Sequence, residues 1–165
     1  MNRPSFSAVA ADCLDEVYRY LLMLTADASL AQDLTSATFE KALTRWRRFD
    51  PARGSATTWL CAIARNTALD HFRSESRRRR REDSYTLREP RVDDAPFAPG
   101  LSAELEQALE TLSAGEREVI ALRVVLDLDA QSAADALGIS RTACSMRLAR
   151  ALQKLQERMT ADALA

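Results

Sequence analysis

The sequence has few of the residues that carry metal or redox chemistry. Its 165 residues include one histidine and three cysteines, Cys13, Cys61 and Cys144. Because the cysteines are widely spaced and odd in number, they suit neither a disulfide framework nor a zinc site. We therefore expect buried thiols, with no metal and no cofactor. No nucleophile–base pair, phosphate-cradling glycine loop or paired carboxylates stand out either, which argues against an enzyme.

Glycine and proline are also scarce, with four and five copies. Ala, Leu, Glu and Arg dominate instead, so the sequence predicts an all-α protein. The longest dense apolar run, Tyr20 to Leu24, is far too short to span a bilayer. The N-terminal residues lack the apolar core of a signal peptide. We expect a cytoplasmic protein with no membrane insertion.

The net charge of −1 conceals a strongly uneven distribution. Residues 41–81 carry twelve basic and three acidic side chains, whereas residues 1–40 have a net charge of −4 and residues 82–118 one of −7. The basic block can bind phosphate locally, while the acidic blocks weaken the affinity for duplex DNA. We infer that the protein needs a partner to bring it to DNA.

Helical periodicity divides the chain into two small helical domains, residues 1–81 and residues 101–165. Between them, residues 82–100 contain three of the five prolines and few large apolar side chains. This composition predicts a flexible linker.

In the first domain we expect three helices. They cover residues 6–25, residues 30–49, and a stretch capped by Ser55 or Thr57 that runs to about Arg73 or on through Arg81. Apolar side chains at helical spacing are expected to face the core: Val9, Leu14, Val17, Tyr20, Leu21 and Leu24 in the first helix, and Leu34, Phe39, Ala42, Leu43 and Trp46 in the second.

In the second domain, Leu105, Leu109 and Leu112 are expected on one helix. Ser113 and Glu116 form a capping-box pattern that begins the next helix. The apolar face of that helix is predicted to contain Val119, Ile120, Leu122 and Val125.

The segment from Phe49 to Arg73 combines an apolar and a polar stripe on one helix. A turn with Pro51 and Gly54 precedes the helix, and Trp59 and Ile63 form its apolar side. Interleaved with them are Arg65, Asn66, Asp70, His71 and Arg73. Such a helix can dock on a protein core and hold nucleic acid on its outer face. Trp59 can serve as a core anchor or as a base-stacking platform, and the arginines at 77–81 can contact phosphate or form a solvated helix end.

The segment from Gln131 to Ala151 has the pattern of a helix-turn-helix. Gly138 follows an Ala-rich helix, where a left-handed residue ends it at little cost, and Ser140 can cap the next helix. The predicted core positions are Leu137, Ile139, Cys144 and Leu148. The opposite face could enter a major groove and consists of Arg141, Thr142, Ser145, Arg147 and Arg150. An ordinary helical hairpin with solvated arginines is the alternative interpretation.

Together these blocks resemble the extracytoplasmic-function sigma factors, the group IV members of the sigma-70 family. The resemblance covers about Tyr18 to Gln156. It rests on F-D-P-x-x-G-S at 49–55, W-L-x-x-I-A-R-N-x-x-x-D-x-x-R at 59–73, A-x-D-L-x-x-x-T-F at 31–39, and L-x-x-L at 109–112 before the helix-turn-helix.

The resemblance implies an alternative sigma factor that binds core RNA polymerase and directs promoter-specific initiation. The polymerase partners would be the beta-prime clamp and the beta flap, and an anti-sigma factor would be a further partner. The residues implied in polymerase binding are Asp33, Leu34, Thr38, Phe39 and Ala42. Those implied in binding the −10 element are Arg53, Ser55, Arg65, Asn66, His71, Arg73 and Arg77. Those implied in binding the −35 element are Arg141, Thr142, Ser145, Arg147 and Arg150.

The chain departs from the family pattern at three places. Family members often have Gln-Glu at the positions of Ser36 and Ala37, and Glu-Glu-Ile-Ala where this chain has Gln131 to Ala134. In the recognition helix, Arg and Ser often stand where this chain has Ser145 and Met146.

Two other functions fit parts of the sequence. A stand-alone helix-turn-helix regulator would bind duplex operators as a dimer, but it would not explain the segment from Phe49 to Arg73. A helical adaptor would bind an acidic protein through the arginine cluster. Band shifts with and without polymerase, and run-off transcription, separate these hypotheses from the sigma factor.

Overall fold

The computed structural model describes residues 4–82, Phe97 and residues 100–163. These residues form seven α-helices with no β-strand among them, which confirms the predicted fold class. The helices are α1 (Phe6–Thr25), α2 (Ala28–Arg45), α3 (Ala56–Glu82), α4 (Ala103–Glu110), α5 (Ala114–Ile120), α6 (Ala130–Leu137) and α7 (Arg141–Ala163). A 3-10 turn, Trp46–Arg48, follows α2, and a π-helical turn, Ala121–Val125, follows α5. Of the helices described, none is long and apolar enough to cross a membrane.

The first three helices pack against one another around fully buried side chains such as Val17, Leu21 and Leu60. Two of the predicted core positions are wrong, because Leu14 and Leu43 are 49% and 58% exposed. Helical spacing identifies an apolar stripe, but the packing of the neighbouring helices decides where the buried part of that stripe ends.

Helix α2 ends earlier than predicted, at Arg45. The chain then tightens into the 3-10 turn, in which the N–H of Phe49 donates to the carbonyl of Trp46 at 3.1 Å. This tightening turns the chain and brings the buried ring of Phe49 back beneath the segment that precedes α3.

Helix α3 is capped by Ser55, whose Oγ accepts the N–H of Thr58 at 3.1 Å. The other candidate cap, Thr57, instead donates its hydroxyl to Glu16 of α1 at 2.6 Å. The helix continues to Glu82, so the longer of the two predicted extents is correct.

The helix predicted to carry Leu105, Leu109 and Leu112 is shorter than expected. Helix α4 ends at Glu110, and the N–H of Leu112 donates to the carbonyl of Leu109 at 3.2 Å in a tighter turn. Leu112 is buried just beyond the helix, so its side chain joins the core from the turn that follows α4.

The predicted capping box at the start of α5 is confirmed. Oγ of Ser113 accepts the N–H of Glu116 at 3.2 Å, and Oε2 of Glu116 accepts the N–H of Ser113 at 2.9 Å. Lys154 of α7 donates to Glu116, and this hydrogen bond is the main reason that the pKa of Glu116 lies below its ordinary value. The capping carboxylate therefore also ties α5 to α7.

The helix-turn-helix formed by α6 and α7 is confirmed. Gly138 adopts the left-handed conformation with φ of 65°, and Oγ of Ser140 accepts the N–H of Ala143 at 3.1 Å. Leu137 and Cys144 are buried, and Ile139 and Leu148 pack against the core, as predicted.

One residue of the predicted linker lies in the core. Phe97 is 4% exposed, and the guanidinium carbon of Arg117 lies 5.8 Å from the centroid of its ring. The rest of the linker prediction, for residues 83–96, 98 and 99, lies outside the described residues. Burial lowers the pKa of Arg117, whose Nη1 donates to the carbonyl of Leu112 at 3.1 Å.

The two helical domains contact each other directly. Helix α1 packs on α5 and on the π-helical turn, and α3 packs on α6. At the centre of this contact, Oε1 of Glu118 accepts the hydroxyl of Tyr20 at 3.4 Å and Nε of Arg65 at 2.9 Å. Burial raises the pKa of Tyr20 well above its ordinary value, so the phenol remains a neutral donor.

Candidate nucleic-acid interface

The turn between α2 and α3 presents polar side chains at the surface. Its fold is held by Asp50, whose carbonyl accepts the N–H of Arg53 and whose carboxylate accepts the N–H of Ala52, both at 3.0 Å. The side chains of Arg53 and Ser55, both predicted to bind the −10 element, are exposed. The hydrogen bonds of Asp50 therefore hold the turn in a shape that leaves the guanidinium of Arg53 exposed.

A cluster of aromatic rings supports this turn from below. The ring of Trp46 stacks on Phe49 with 4.9 Å between centroids and lies edge-on to Trp59 at 5.8 Å. Phe6 joins the cluster at 5.3 Å from Trp46. These contacts place Trp59 in the packed cluster, which favours the core anchor over the base-stacking platform.

A cleft of about 530 Å³ opens beside the turn. Arg53, Ser55 and the edge of Trp59 belong to its first wall, and the second wall comes from the helix-turn-helix. The second wall consists of Ala134, Asp135, Gly138 and Ile139. The cleft next to the predicted −10 surface is thus formed by both domains.

The predicted −10 residues on α3 occupy different environments. Asn66, Arg73 and Arg77 are exposed, while His71 is half-buried beside Phe72 with 5.8 Å between ring centroids. Arg65 departs most from the expectation of an exposed phosphate contact, because its side chain is 25% exposed and its Nε is bonded to Glu118. The ion pair with Glu118 therefore competes with a contact between Arg65 and DNA.

Most of the residues predicted to bind polymerase lie beneath the surface of α2. Leu34, Thr38 and Ala42 are buried, and the hydroxyl of Thr38 donates to the carbonyl of Leu34 at 2.6 Å. Phe39 is half-buried against Phe6. The polymerase contacts of all five residues stay a prediction, and in this structure the three buried side chains face the core, where they hold the helix in place.

The exposed face of α2 contains Leu43, which was predicted to lie in the core. Asp33, Ser36 and Glu40 are exposed, and Leu43 continues the same face at helical spacing with 58% exposure. Leu43 lies at helical spacing from these polar residues, and this spacing could have identified Leu43 as an exposed residue.

Asp33 and His71, predicted for different partners, line one groove. This groove of about 860 Å³ lies between the start of α2 and the later turns of α3, where Phe72 is 38% exposed and Arg79 and Arg80 form part of its wall. The predicted polymerase and −10 surfaces are therefore continuous.

The recognition helix α7 presents most of its predicted −35 residues to solvent. Arg141, Thr142, Ser145 and Arg150 are exposed. Arg147 departs from the prediction, because it is half-buried and its Nη1 would lie 3.3 Å from a Cβ placed on Gly115. Its guanidinium therefore lies against the start of α5 instead of projecting from the helix.

The three thiols are buried, as predicted. Burial raises the pKa of Cys61, and the same cause raises the pKa of Cys13 and of Cys144. Within the described ranges, no group of three or more His, Cys, Asp or Glu side chains is placed to hold a metal ion.

Two family models match consecutive parts of the chain. Sigma-70 region 2 matches residues 10–78, and Sigma-70, region 4 matches residues 102–155. The ECF RNA polymerase sigma factor SigC of Mycobacterium tuberculosis is 34% identical over 142 residues, covering 85% of this chain and 75% of that protein. The ECF RNA polymerase sigma factor BldN of Streptomyces coelicolor is 31% identical over 153 residues, covering 90% of this chain but only 58% of that protein.

Solved structures share the arrangement of both domains. The sigma factor RpoE of Bartonella quintana, solved with the anti-sigma factor NepR, superposes with a TM-score of 0.79 at 25% identity, covering 95% of this chain and 98% of that chain. CnrH, solved with the cytosolic domain of CnrY, gives a TM-score of 0.70 at 25% identity, covering 98% and 91% of the two chains.

Two helical units of these kinds, in this order, define a transcription initiation factor. The chain belongs to the extracytoplasmic-function group of the sigma-70 family, the alternative sigma factors that direct transcription initiation.

Proposed function

We propose that this chain reads promoters through two surfaces, each assigned to particular residues. The turn before α3 and the exposed side chains of α3 capture the −10 element, and the exposed face of α7 reads the −35 element. The chain acts in the cytoplasm on core RNA polymerase and performs no chemistry of its own. The observation that carries this proposal is the turn at Asp50–Ser55, which the two hydrogen bonds of Asp50 hold in shape and which leaves Arg53 and Ser55 exposed.

Capture of the −10 element requires that bases leave the DNA stack. Unstacking costs a few kcal/mol for each base, which contacts with the protein must offset. Arg53 at the turn and Arg73 and Arg77 along α3 provide exposed cations for the phosphates, and Asn66 provides an amide for a base edge. The aromatic cluster packs Phe49, at the start of the turn, against Trp46 and Trp59.

The closed arrangement of the domains supports dependence on polymerase. The helix-turn-helix forms one wall of the cleft, and Glu118 engages Arg65, so the −10 surface is partly covered. Polymerase, by binding the two domains at separate places, would hold them apart and uncover the −10 surface. A stand-alone regulator would need no such rearrangement, because it would read duplex DNA through the exposed residues of α7.

The polymerase surface is the exposed face of α2. We assign contact with the beta-prime clamp to Asp33, Glu40 and Leu43, since the buried residues of the same helix cannot touch a partner while the domain is folded. A contact of the second domain with the beta flap completes the attachment.

An anti-sigma factor is the further partner that we propose. RpoE and CnrH, of which 98% and 91% superpose on this chain, were solved with NepR and with the cytosolic domain of CnrY. A partner that bridges both domains of this chain would stabilise the closed arrangement and so keep the chain from polymerase.

Run-off transcription with purified core polymerase tests the proposal. Templates can be chosen from transcripts that increase when the chain is overproduced. We expect specific transcripts only when both the chain and core polymerase are present. Tight duplex binding without polymerase would favour the stand-alone regulator. Absence of both polymerase binding and transcripts would favour the adaptor.

A further inference from the structure

The exposed face of the recognition helix has an apolar side chain at its centre. In the first three turns of α7, the exposed residues are Arg141, Thr142, Ser145, Met146, Ala149 and Arg150. Met146 is 52% exposed and is the only large apolar side chain among them. Exposure of this apolar side chain to water is not favourable. The fold does not require Met146, because the core side of α7 is filled by Cys144, Leu148 and Ala151.

The neighbours of Met146 define the chemistry of the surface around it. Thr142 is one turn before it and Arg150 one turn after it, and both are exposed. Arg147, the next residue, turns away and packs over Gly115, so its guanidinium does not cover the thioether. Met146 therefore lies between the Thr142 hydroxyl and the Arg150 guanidinium. It is at the middle of the helix face that we propose enters the major groove of DNA.

The major groove of DNA has one apolar group, the 5-methyl of thymine. Polar and cationic side chains read the other edges, and an apolar side chain gains most by covering that methyl group. We infer that Met146 is a specificity-determining residue that contacts a thymine methyl in the −35 element. This inference rests on the proposed role of α7 in reading that element.

The polar neighbours of the same face limit where the thymine can be. Arg141 and Arg150 are suited to guanine edges or phosphates, and Thr142 and Ser145 adapt to either kind of partner. The preferred −35 sequence should therefore contain an A·T pair at the centre of the contacted bases, with the thymine methyl directed at Met146.

Replacement of thymine by uracil removes the methyl group and preserves base pairing. Binding of the holoenzyme to a promoter is measured by competition at fixed salt, with each thymine of the −35 element replaced in turn. With the native chain, one position should lose about four-fold in affinity, the factor that corresponds to about 0.8 kcal/mol for one buried carbon group. The other positions should change little.

The variant Met146→Ala should bind the thymine promoter about four-fold more weakly and should no longer distinguish thymine from uracil at that position. Met159→Ala is the matched control, because Met159 is 44% exposed on the same helix but lies beyond the groove-facing turns. It should retain the native response. Circular dichroism and thermal unfolding establish that both variants fold.

Two results would overturn the inference. One is a native holoenzyme that binds the promoter and responds to no thymine-to-uracil replacement. The other is a Met146→Ala variant that keeps the native response, which would assign Met146 to a protein contact or to open surface. If the native chain shows no polymerase-dependent promoter binding at all, the proposed function is refuted instead. Failure of the inference about Met146 and failure of the proposed function therefore give different results.

Discussion

Replacing Glu118 by glutamine should loosen the contact between the two domains. The Glu118 side chain is 6% exposed and that of Arg65 is 25% exposed, with 2.9 Å between Oε1 and Nε. Exposed ion pairs contribute about 0–1 kcal/mol, and removal of one member of a fully buried pair costs about 3–5 kcal/mol. For this half-buried pair, in which glutamine keeps an acceptor for Tyr20, we expect a loss of about 1–2 kcal/mol.

Such a loss changes the ratio of separated to closed chains by about 5- to 30-fold. Since only separated chains leave the −10 surface uncovered, the apparent affinity for a single-stranded −10 oligonucleotide should rise by about the same factor while the closed state predominates. Fluorescence anisotropy measures that affinity in the absence of polymerase, and small-angle scattering should show a larger radius of gyration.

Glu110→Gln is the matched control, because it removes the same charge from an exposed position on α4. It should leave the oligonucleotide affinity and the radius of gyration unchanged. If Glu118→Gln folds and behaves like this control, the contact between Glu118 and Arg65 does not hold the domains together. A weaker affinity for the oligonucleotide would contradict the reasoning directly.

Three further predictions concern single sites. Asn66→Ala should weaken capture of the −10 element by about 1–3 kcal/mol and leave polymerase binding intact in a pull-down, since Asn66 is exposed; equal loss of both would indicate a folding defect. Leu43→Asp should reduce polymerase binding and leave the melting temperature unchanged, because Leu43 is exposed. Leu34→Ala, at a position only 5% exposed, should instead lower the free energy of unfolding by about 2–5 kcal/mol. Normal polymerase binding by Leu43→Asp would show that this face of α2 is not part of the interface. The pKa of Glu116 is lowered in the folded chain chiefly by its hydrogen bond with Lys154, so its contribution to stability is present at neutral pH and is lost as the pH falls from the ordinary pKa of a glutamate through the lowered one. Thermal unfolding of Glu116→Gln should show a smaller decrease over that range, and an identical decrease would contradict this assignment.

The local features of the fold could be predicted because they depend on residues close together in sequence. The capping box at Ser113, the left-handed Gly138 and the cap at Ser140 each involve backbone groups within a few residues. The same holds for the aromatic and polar character of the segment that begins at Phe49. Signals of this kind are present in the sequence itself, and the structure confirms them.

The contact between the domains could not be predicted in this way. Arg65 and Glu118 are separated by 53 positions, and nothing in the sequence near either residue indicates the other. The same limitation explains Leu43 and Arg147, whose exposure depends on which helices lie next to them. The sequence therefore indicates which residues can bind nucleic acid, and the tertiary packing determines which of them are exposed.

The burial of Phe97 in the core limits how far the end of α3 can move from the second domain. While that ring remains buried, only residues 83–96 separate the end of α3 from a point fixed on the second domain. Whatever path they take, a chain of that length cannot bridge more than about 50 Å. Because duplex DNA rises 3.4 Å for each base pair, this distance corresponds to about 15 base pairs along the helix axis. Release of Phe97 from the core would therefore lengthen the segment that joins the two domains.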